Sequence, residues 1–179
     1  YKENWGFCLH NNQLRKLGDD ELRLMFARFR EWKLKFAMEV GAVKPHWHTG
    51  KAAFEGQSNS WRRYERLGGE IWAVAMDEPL CTTRMYIHKP DSHAIEETAD
   101  FIARVRTAFP GIRIGDIEPY PMAGGDLIAW LDALQARLAQ LGVRGLDFFR
   151  LDVNWCHFTM GGTSLPGNWL EVKKLEKAC

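Results

Sequence analysis

Apolar positions along this chain switch repeatedly between two rhythms. Dense runs with alternating character, Leu34–Val40, Ile71–Met76, Ile112–Ile117 and Leu146–Val153, read as β-strands. Trp5–Leu9 reads as a first strand of the same kind. Between the runs, apolar residues recur every three or four positions, as on one face of a helix. Leu22, Met25, Phe26 and Phe29 form one such face, opened by Asp19 or Asp20 as an N-cap. A short helix carries Trp61, Tyr64 and Leu67 and stops at Gly68-Gly69. A longer one starts at Asp91 or Ser92, turns Ile95, Ala99, Ile102, Val105 and Phe109 inward, and ends at Pro110-Gly111. Leu127, Trp130, Leu131, Leu134, Leu138 and Leu141 line another, terminated by Gly142, and a last helix spans Trp169–Ala178.

The elements therefore alternate strand and helix five times. Loops after strands are long, and loops after helices are tight. That asymmetry separates the catalytic from the stability face of a (β/α) barrel. The fold class expected is α/β, built of repeated βα units with parallel strands and TIM-barrel-like. Five strands instead of eight make it a partial barrel, or else an open doubly wound sheet. Residues 1–179 read as a single domain, an incomplete part of a longer barrel. Tyr1 in place of an initiator Met points the same way, to a processed or excised chain. An open half-barrel would leave sheet edges and apolar faces uncovered, so self-association or a partner chain is expected.

Acidic residues close four of the strands. Glu39, Glu78, Glu118 and Asp152 lie 34 to 40 residues apart, each at the C-terminal end of a strand. Active sites of parallel α/β folds are built on that edge. Side chains alternate along a strand, so parity groups Glu39, Asp77, Asp116, Glu118, Asp152 and Arg150 on one face, expected to be the barrel interior. Glu78 has the opposite parity but sits at the strand exit, where Pro79 ends regular pairing. Phe36/Met38, Val74/Met76 and Phe149/Leu151 suit the faces under helices. Like charges gathered on one rim repel and raise each other's pKa, the condition for a general acid near neutral pH. Neighbouring strands ~4.8 Å apart allow the spacing of a retaining carboxylate pair, and strands two apart that of an inverting pair. Trp47, Tyr86, Tyr120 and Trp155, in the loops above, are candidates for stacking on sugar rings.

Composition changes this picture little. Hydrophobic residues are 46% and charged residues 26% of the 179, with net charge +1. No basic footprint for nucleic acid and no run long enough for a membrane span is present. No signal peptide is read, and the compartment stays open, a secreted or extracytoplasmic setting fitting a glycan substrate. Of four cysteines, Cys8, Cys81 and Cys156 fall in or just after strands. A Cys8–Cys81 disulfide is conceivable, and buried free thiols are favoured over it. Neither GxGxxG nor GxxxxGK[ST] follows any strand, which argues against a nucleotide site. No GxSxG elbow is present either.

Two strand ends carry a resemblance. Asp77-Glu78-Pro79 resembles the Asn-Glu-Pro of the large retaining clan of (β/α)-barrel glycoside hydrolases, departing from it at Asp77. The resemblance implies Glu78 as acid/base. Asp116-Ile117-Glu118 is similar to the Asp-x-Glu strand end of chitinase-like barrels, which implies Glu118 as acid with Asp116 in support. On this reading Glu78 and Glu118 are the acid/base and nucleophile, and Asp116 and Asp77 tune them. Glu39, Asp152 and Arg150 orient a glycan, and no cofactor is required.

Three alternatives stand beside it. Lys44, Arg84, Arg113 and Arg150 could neutralise the acids as a purely structural rim. His46, His48 and His157 with the carboxylates could instead hold Mg²⁺, Mn²⁺ or Ca²⁺ for a sugar isomerase or hydrolase on a similar barrel. A non-catalytic carbohydrate-binding or scaffold protein would use the same aromatic loops.

Overall fold

The computed structural model describes residues 6–123, 127–155 and 169–178. Five strands, β1 (Gly6–His10), β2 (Lys35–Val40), β3 (Ile71–Asp77), β4 (Arg113–Tyr120) and β5 (Phe148–Val153), form one sheet in chain order. Every pairing is parallel. The connections carry helices α1 (Asn11–Leu14), α2 (Asp19–Glu31), α3 (Gly50–Arg66), α4 (Pro79–Thr82), α5 (Asp91–Ala108) and α6 (Leu127–Gln140). A π-helical turn, Thr83–Ile87, continues α4, and α7 (Trp169–Ala178) packs on α6. This is the expected α/β, TIM-barrel-like arrangement of βα units, in partial form.

The core lies between one face of the sheet and the helices. Phe36, Met38, Val40, Val74, Met76 and Ile114 look outward from the strands. They meet Leu22, Phe26, Trp61, Tyr64, Phe101, Ile102, Leu134 and Leu138 from the helices. Burying each such side chain contributes ~1.5–3 kcal/mol. Trp61 and Trp130 are core residues, 0% and 4% exposed, so part of the tryptophan excess is packing.

Helix α3 is longer than its sequence suggested. It starts at Gly50, inside a segment that read as loop, because the Thr49 hydroxyl accepts the amide of Ala52 at 3.2 Å. Gly50 also lets α3 approach α5: a Cβ there would lie 2.1 Å from the Glu97 carbonyl oxygen. Cys81 is buried and Cys8 exposed, and both are free thiols, so the expected burial of Cys8 is corrected. Cys8 sits on the sheet face that no helix covers. Cys156, Cys179 and His157 lie outside the described residues.

At the N-terminal ends of the strands, Asp147 accepts the amide of Ile114 at 2.7 Å and pairs with Arg106 at 2.8 Å. These bonds pin α5 and β4 to the start of β5.

Candidate functional site at the strand ends

Strand register decides which acids share a face. In a parallel ladder paired residues point the same way. His10 pairs with Glu39, Ala37 with Ala73, and Pro119 with Asp152. Asp77 pairs with Ile117, and Ile117 with Arg150. These residues form the inner face, with its polar groups at the C-terminal rim. Met76 pairs with Asp116, and Glu118 with Leu151, so Asp116 and Glu118 belong to the outer face, under the helices.

This corrects the expectation that Asp116 and Glu118 converge with Glu39, Asp77, Asp152 and Arg150. Both are 0% exposed. Asp116 Oδ2 accepts the indole N–H of Trp130 on α6 at 2.8 Å, while Oδ1 has no hydrogen-bond partner among the described residues. Glu118 accepts the amides of Leu80 (2.6 Å) and Cys81 (3.1 Å). Burial holds Asp116 up at about 7, against the pull of the N–H groups of Trp130 and Ile117. Burial and then the Asp116 charge push Glu118 well above the usual carboxyl range. Glu118 therefore cannot reach a substrate on the inner rim. Tyr120 is corrected as well: it is the last residue of β4, buried at 5% exposure.

The inner rim collects a different set. Lys44, from the loop after β2, places Nζ 2.5 Å from Asp77 Oδ2. His10 Nε2 lies 2.9 Å from Glu39 Oε2, and Arg150 Nη1 lies 3.5 Å from Glu39 Oε1. Asp152 is exposed at the end of β5. A tight turn presents Lys44 and Trp47 together: their backbones exchange hydrogen bonds of 2.9 and 2.8 Å. The Trp47 indole lies on Gly56 of α3, where a Cβ would approach it to 2.5 Å. His10, Asn11, Glu39, Lys44, Trp47 and Asp77 are among the residues lining a cleft of about 160 Å³. His10, Asn11 and Gln57 carried no motif or period, so sequence reasoning passed over them.

Glu78 stands at the centre of the rim. Its amide extends the β3–β4 ladder by donating to the Ile117 carbonyl at 2.9 Å. The backbone then turns left-handed, φ 53° and ψ 49°, before Pro79 opens α4. A non-glycine residue held there costs ~1–2 kcal/mol. Its carboxyl accepts no hydrogen bond from the described residues. Half-burial raises its pKa first, then the charge of Asp77; Lys44 opposes, and Asp152 and Glu39 add to the rise. Those four neighbours all belong to the inner rim.

Two aromatic candidates stand further out. Tyr86, on the π-helical turn, is 61% exposed, and Trp155 is 54% exposed with its ring 5.7 Å from that of Trp169. Neither lines the cleft. Among the described residues no three His, Cys, Asp or Glu side chains come together in a way that could hold a metal ion. His46 stacks on Trp47 at 4.5 Å, and His48 Nε2 bonds the Pro45 carbonyl at 2.8 Å. The larger cleft, about 690 Å³, opens at the other end of the sheet, between Lys33–Phe36, Gly68–Trp72 and Ala108–Ile112. It holds none of the strand-end acids.

No family model and no curated protein matches this chain. A solved structure does: a D-psicose 3-epimerase crystallised in the presence of D-fructose, at TM-score 0.53 and 12% identity. The alignment covers 82% of this chain and 52% of that one, so the chain spans about half the length of the epimerase. At that identity the likeness is one of fold, and the fold is TIM-barrel-like.

Proposed function

We propose that the inner rim binds a small sugar and moves a proton on it, as a sugar isomerase or epimerase does. The observation that carries this reading is Glu78: a half-buried residue with a left-handed backbone, its carboxyl raised by burial and by Asp77 against the Lys44 ammonium and accepting no hydrogen bond from the described residues. A carboxyl poised toward neutral pH is suited to both taking and returning a proton. Strain at such a residue is a recurrent mark of functional sites. The fold likeness to a D-psicose 3-epimerase favours the same reaction class over hydrolysis.

In the step envisaged, the Glu78 carboxylate takes the proton from the carbon next to the sugar carbonyl. The C–H electron pair becomes the C=C bond of an enediolate, and the carbonyl oxygen takes the negative charge. Lys44 and Arg150 are the cations on the rim that can stabilise that charge. Delivery of the proton by Glu78 to the former carbonyl carbon, with the hydroxyl proton passing from the neighbouring oxygen to the enediolate oxygen, completes an isomerisation. Delivery to the original carbon from the other face, with a protonated Glu39 as donor and the abstracted proton left on Glu78, completes an epimerisation. Trp47 offers an apolar face to the sugar ring. The cleft of about 160 Å³ is lined by Glu39, Lys44, Trp47 and Asp77, and Glu78 follows Asp77 directly at its edge.

The second reading is hydrolysis of a glycan, favoured by Asp77-Glu78-Pro79 alone. Its acid would be Glu78 and its partner Asp152 or Glu39, since Glu118 is out of reach behind the sheet. The test is incubation with D-fructose and other ketoses and aldoses in D₂O, followed by NMR. Deuterium entering next to the carbonyl with the wild type, and not with Glu78→Gln, supports proton transfer. Release of new reducing ends from glycans, with no deuterium uptake, would replace it by hydrolysis.

A further inference from the structure

Two carboxyls are buried in the core without an ion pair among the described residues. Asp116 and Glu118 stand on the outer face of β4, and no described Lys, Arg or His bridges to either. Burying a carboxyl costs several kcal/mol unless its interactions replace water. For stability alone, an apolar or amide side chain would serve at least as well. What Glu118 does instead is specific. Its two oxygens accept the amides of Leu80 and Cys81. These are the first N–H groups of α4, since Pro79 has none and the first turn of a helix offers its amides no internal acceptor. Both lie within three residues of the left-handed Glu78. The Glu78 amide, meanwhile, is tied to the Ile117 carbonyl. The strained corner is thus held from both sides by neighbouring positions of one strand, Ile117 and Glu118.

We propose that Glu118 is a positioning residue, whose carboxylate clamps the Leu80–Cys81 amides and so holds the Glu78 corner in its left-handed form with the Glu78 carboxyl on the inner rim. The proposal rests on the reading of Glu78 as the proton-transfer group. A hydrogen bond to a charged acceptor is about twice as strong as a neutral one, so two of them suffice to offset the strain of one left-handed residue. Burial and the Asp116 charge raise Glu118, and the two amides oppose them by favouring its ionised form. Asp116, with an oxygen that has no partner among the described residues, is placed to hold the proton of the pair. The other titratable groups facing Glu118 are Glu78 from the corner, Cys81 from α4 and Arg84 from the π-helical turn. Arg84 is itself engaged by Asp91 at 2.5 Å.

The test compares the wild type with Glu118→Gln and Glu118→Asp by NMR and by sugar turnover. Gln keeps the length but can present one oxygen only, and Asp falls one methylene short. In Glu118→Gln we expect the amides of Leu80 and Cys81 to exchange on the order of tenfold or more faster, as for loss of a charged hydrogen bond. The titration midpoint of the Glu78 carboxyl should move, and kcat should fall at least several-fold with KM little changed. A folded Glu118→Gln with unchanged amide protection and an unchanged Glu78 midpoint overturns the proposal. If neither variant folds, the wild type decides: the Leu80 and Cys81 amide shifts must follow the titration of the Glu118 carboxyl carbon, and independence from it overturns the clamp. Absence of any sugar turnover in the wild type would sink the proton-transfer reading, while the amide and carboxyl signals would still decide the clamp.

Discussion

Arg150 Nη1 lies 3.5 Å from Glu39 Oε1, although their strands, β5 and β2, are separated by two others. In a flat sheet those strands would stand ~14 Å apart. The contact therefore reports how far the sheet has curled toward a barrel, and it brings a cation over the inner rim. Its own strength is small, because Arg150 is 59% exposed and such pairs are worth at most ~1 kcal/mol. Arg150→Ala should leave urea unfolding nearly unchanged while weakening binding of an enediolate-like hydroxamate inhibitor. Isothermal titration gives the second quantity. Equal affinity in the two proteins would remove Arg150 from the site.

Glu78 sets stability against activity. A glycine at φ 53° would relieve the left-handed strain, so Glu78→Gly should raise unfolding free energy by ~1 kcal/mol, net of its greater chain entropy. The same change should abolish deuterium exchange into sugar. Glu78→Gln should abolish exchange without the gain in stability. Denaturant melts of the three proteins check the ordering, and a Glu78→Gly protein clearly less stable than the wild type would show that the carboxyl supports the fold.

The alternation of strands and helices was legible because each period repeats long enough to stand out. The site was legible only in part. Glu39, Asp77, Glu78, Asp152, Arg150 and Trp47 do gather at the strand ends, and Glu39, Trp47 and Asp77 line the cleft. Strand β4 defeated the parity argument because it is buried on both faces, so polarity no longer marks the inner side. The decisive signal was there: Ile112 and Ile114 share parity with Asp116 and Glu118, and Ile114 packs under the helices. Gly115, of the other parity, faces Phe148 of β5, whose ring would stand 2.1 Å from an added Cβ. The first turns of α3 were hidden by Gly50, Gly56 and the polar run after it, where tertiary contacts override weak helix propensity.

Buried Asp116 makes stability depend on pH in an uncommon direction. Its folded pKa is about 7, against ~3.9 for an unfolded Asp. Between those values the folded state binds more protons, so stability falls as pH rises through the window and the contribution is gone above it. Glu78, also raised, acts in the same sense. Asp91, lowered by its bond to Arg84, acts oppositely, and only below the ordinary carboxyl range. Unfolding free energy from urea melts should therefore decline between pH 5 and pH 8, by an amount on the order of a few kcal/mol at most. Asp116→Asn should flatten that decline, whatever its absolute stability. A variant with the slope of the wild type would mean that Asp116 does not titrate in this window.

Gly56 offers a way to disturb the sugar face without touching an acid. It lies in the interior of α3, where glycine is ~0.5–1 kcal/mol worse than alanine for the helix. Yet an alanine Cβ would meet the Trp47 indole at 2.5 Å, 2.6 Å and 2.9 Å, closer than any real contact. The indole belongs to a surface turn and can swing away, whereas α3 is anchored by Trp61 and Tyr64 in the core. Gly56→Ala should thus keep or slightly raise the melting temperature, while the Trp47 indole N–H signal shifts and sugar affinity drops several-fold. Trp47→Ala should lower affinity to the same degree. If Gly56→Ala moves the indole and leaves affinity unchanged, Trp47 is packing for the Lys44 turn and the sugar rests elsewhere on the rim.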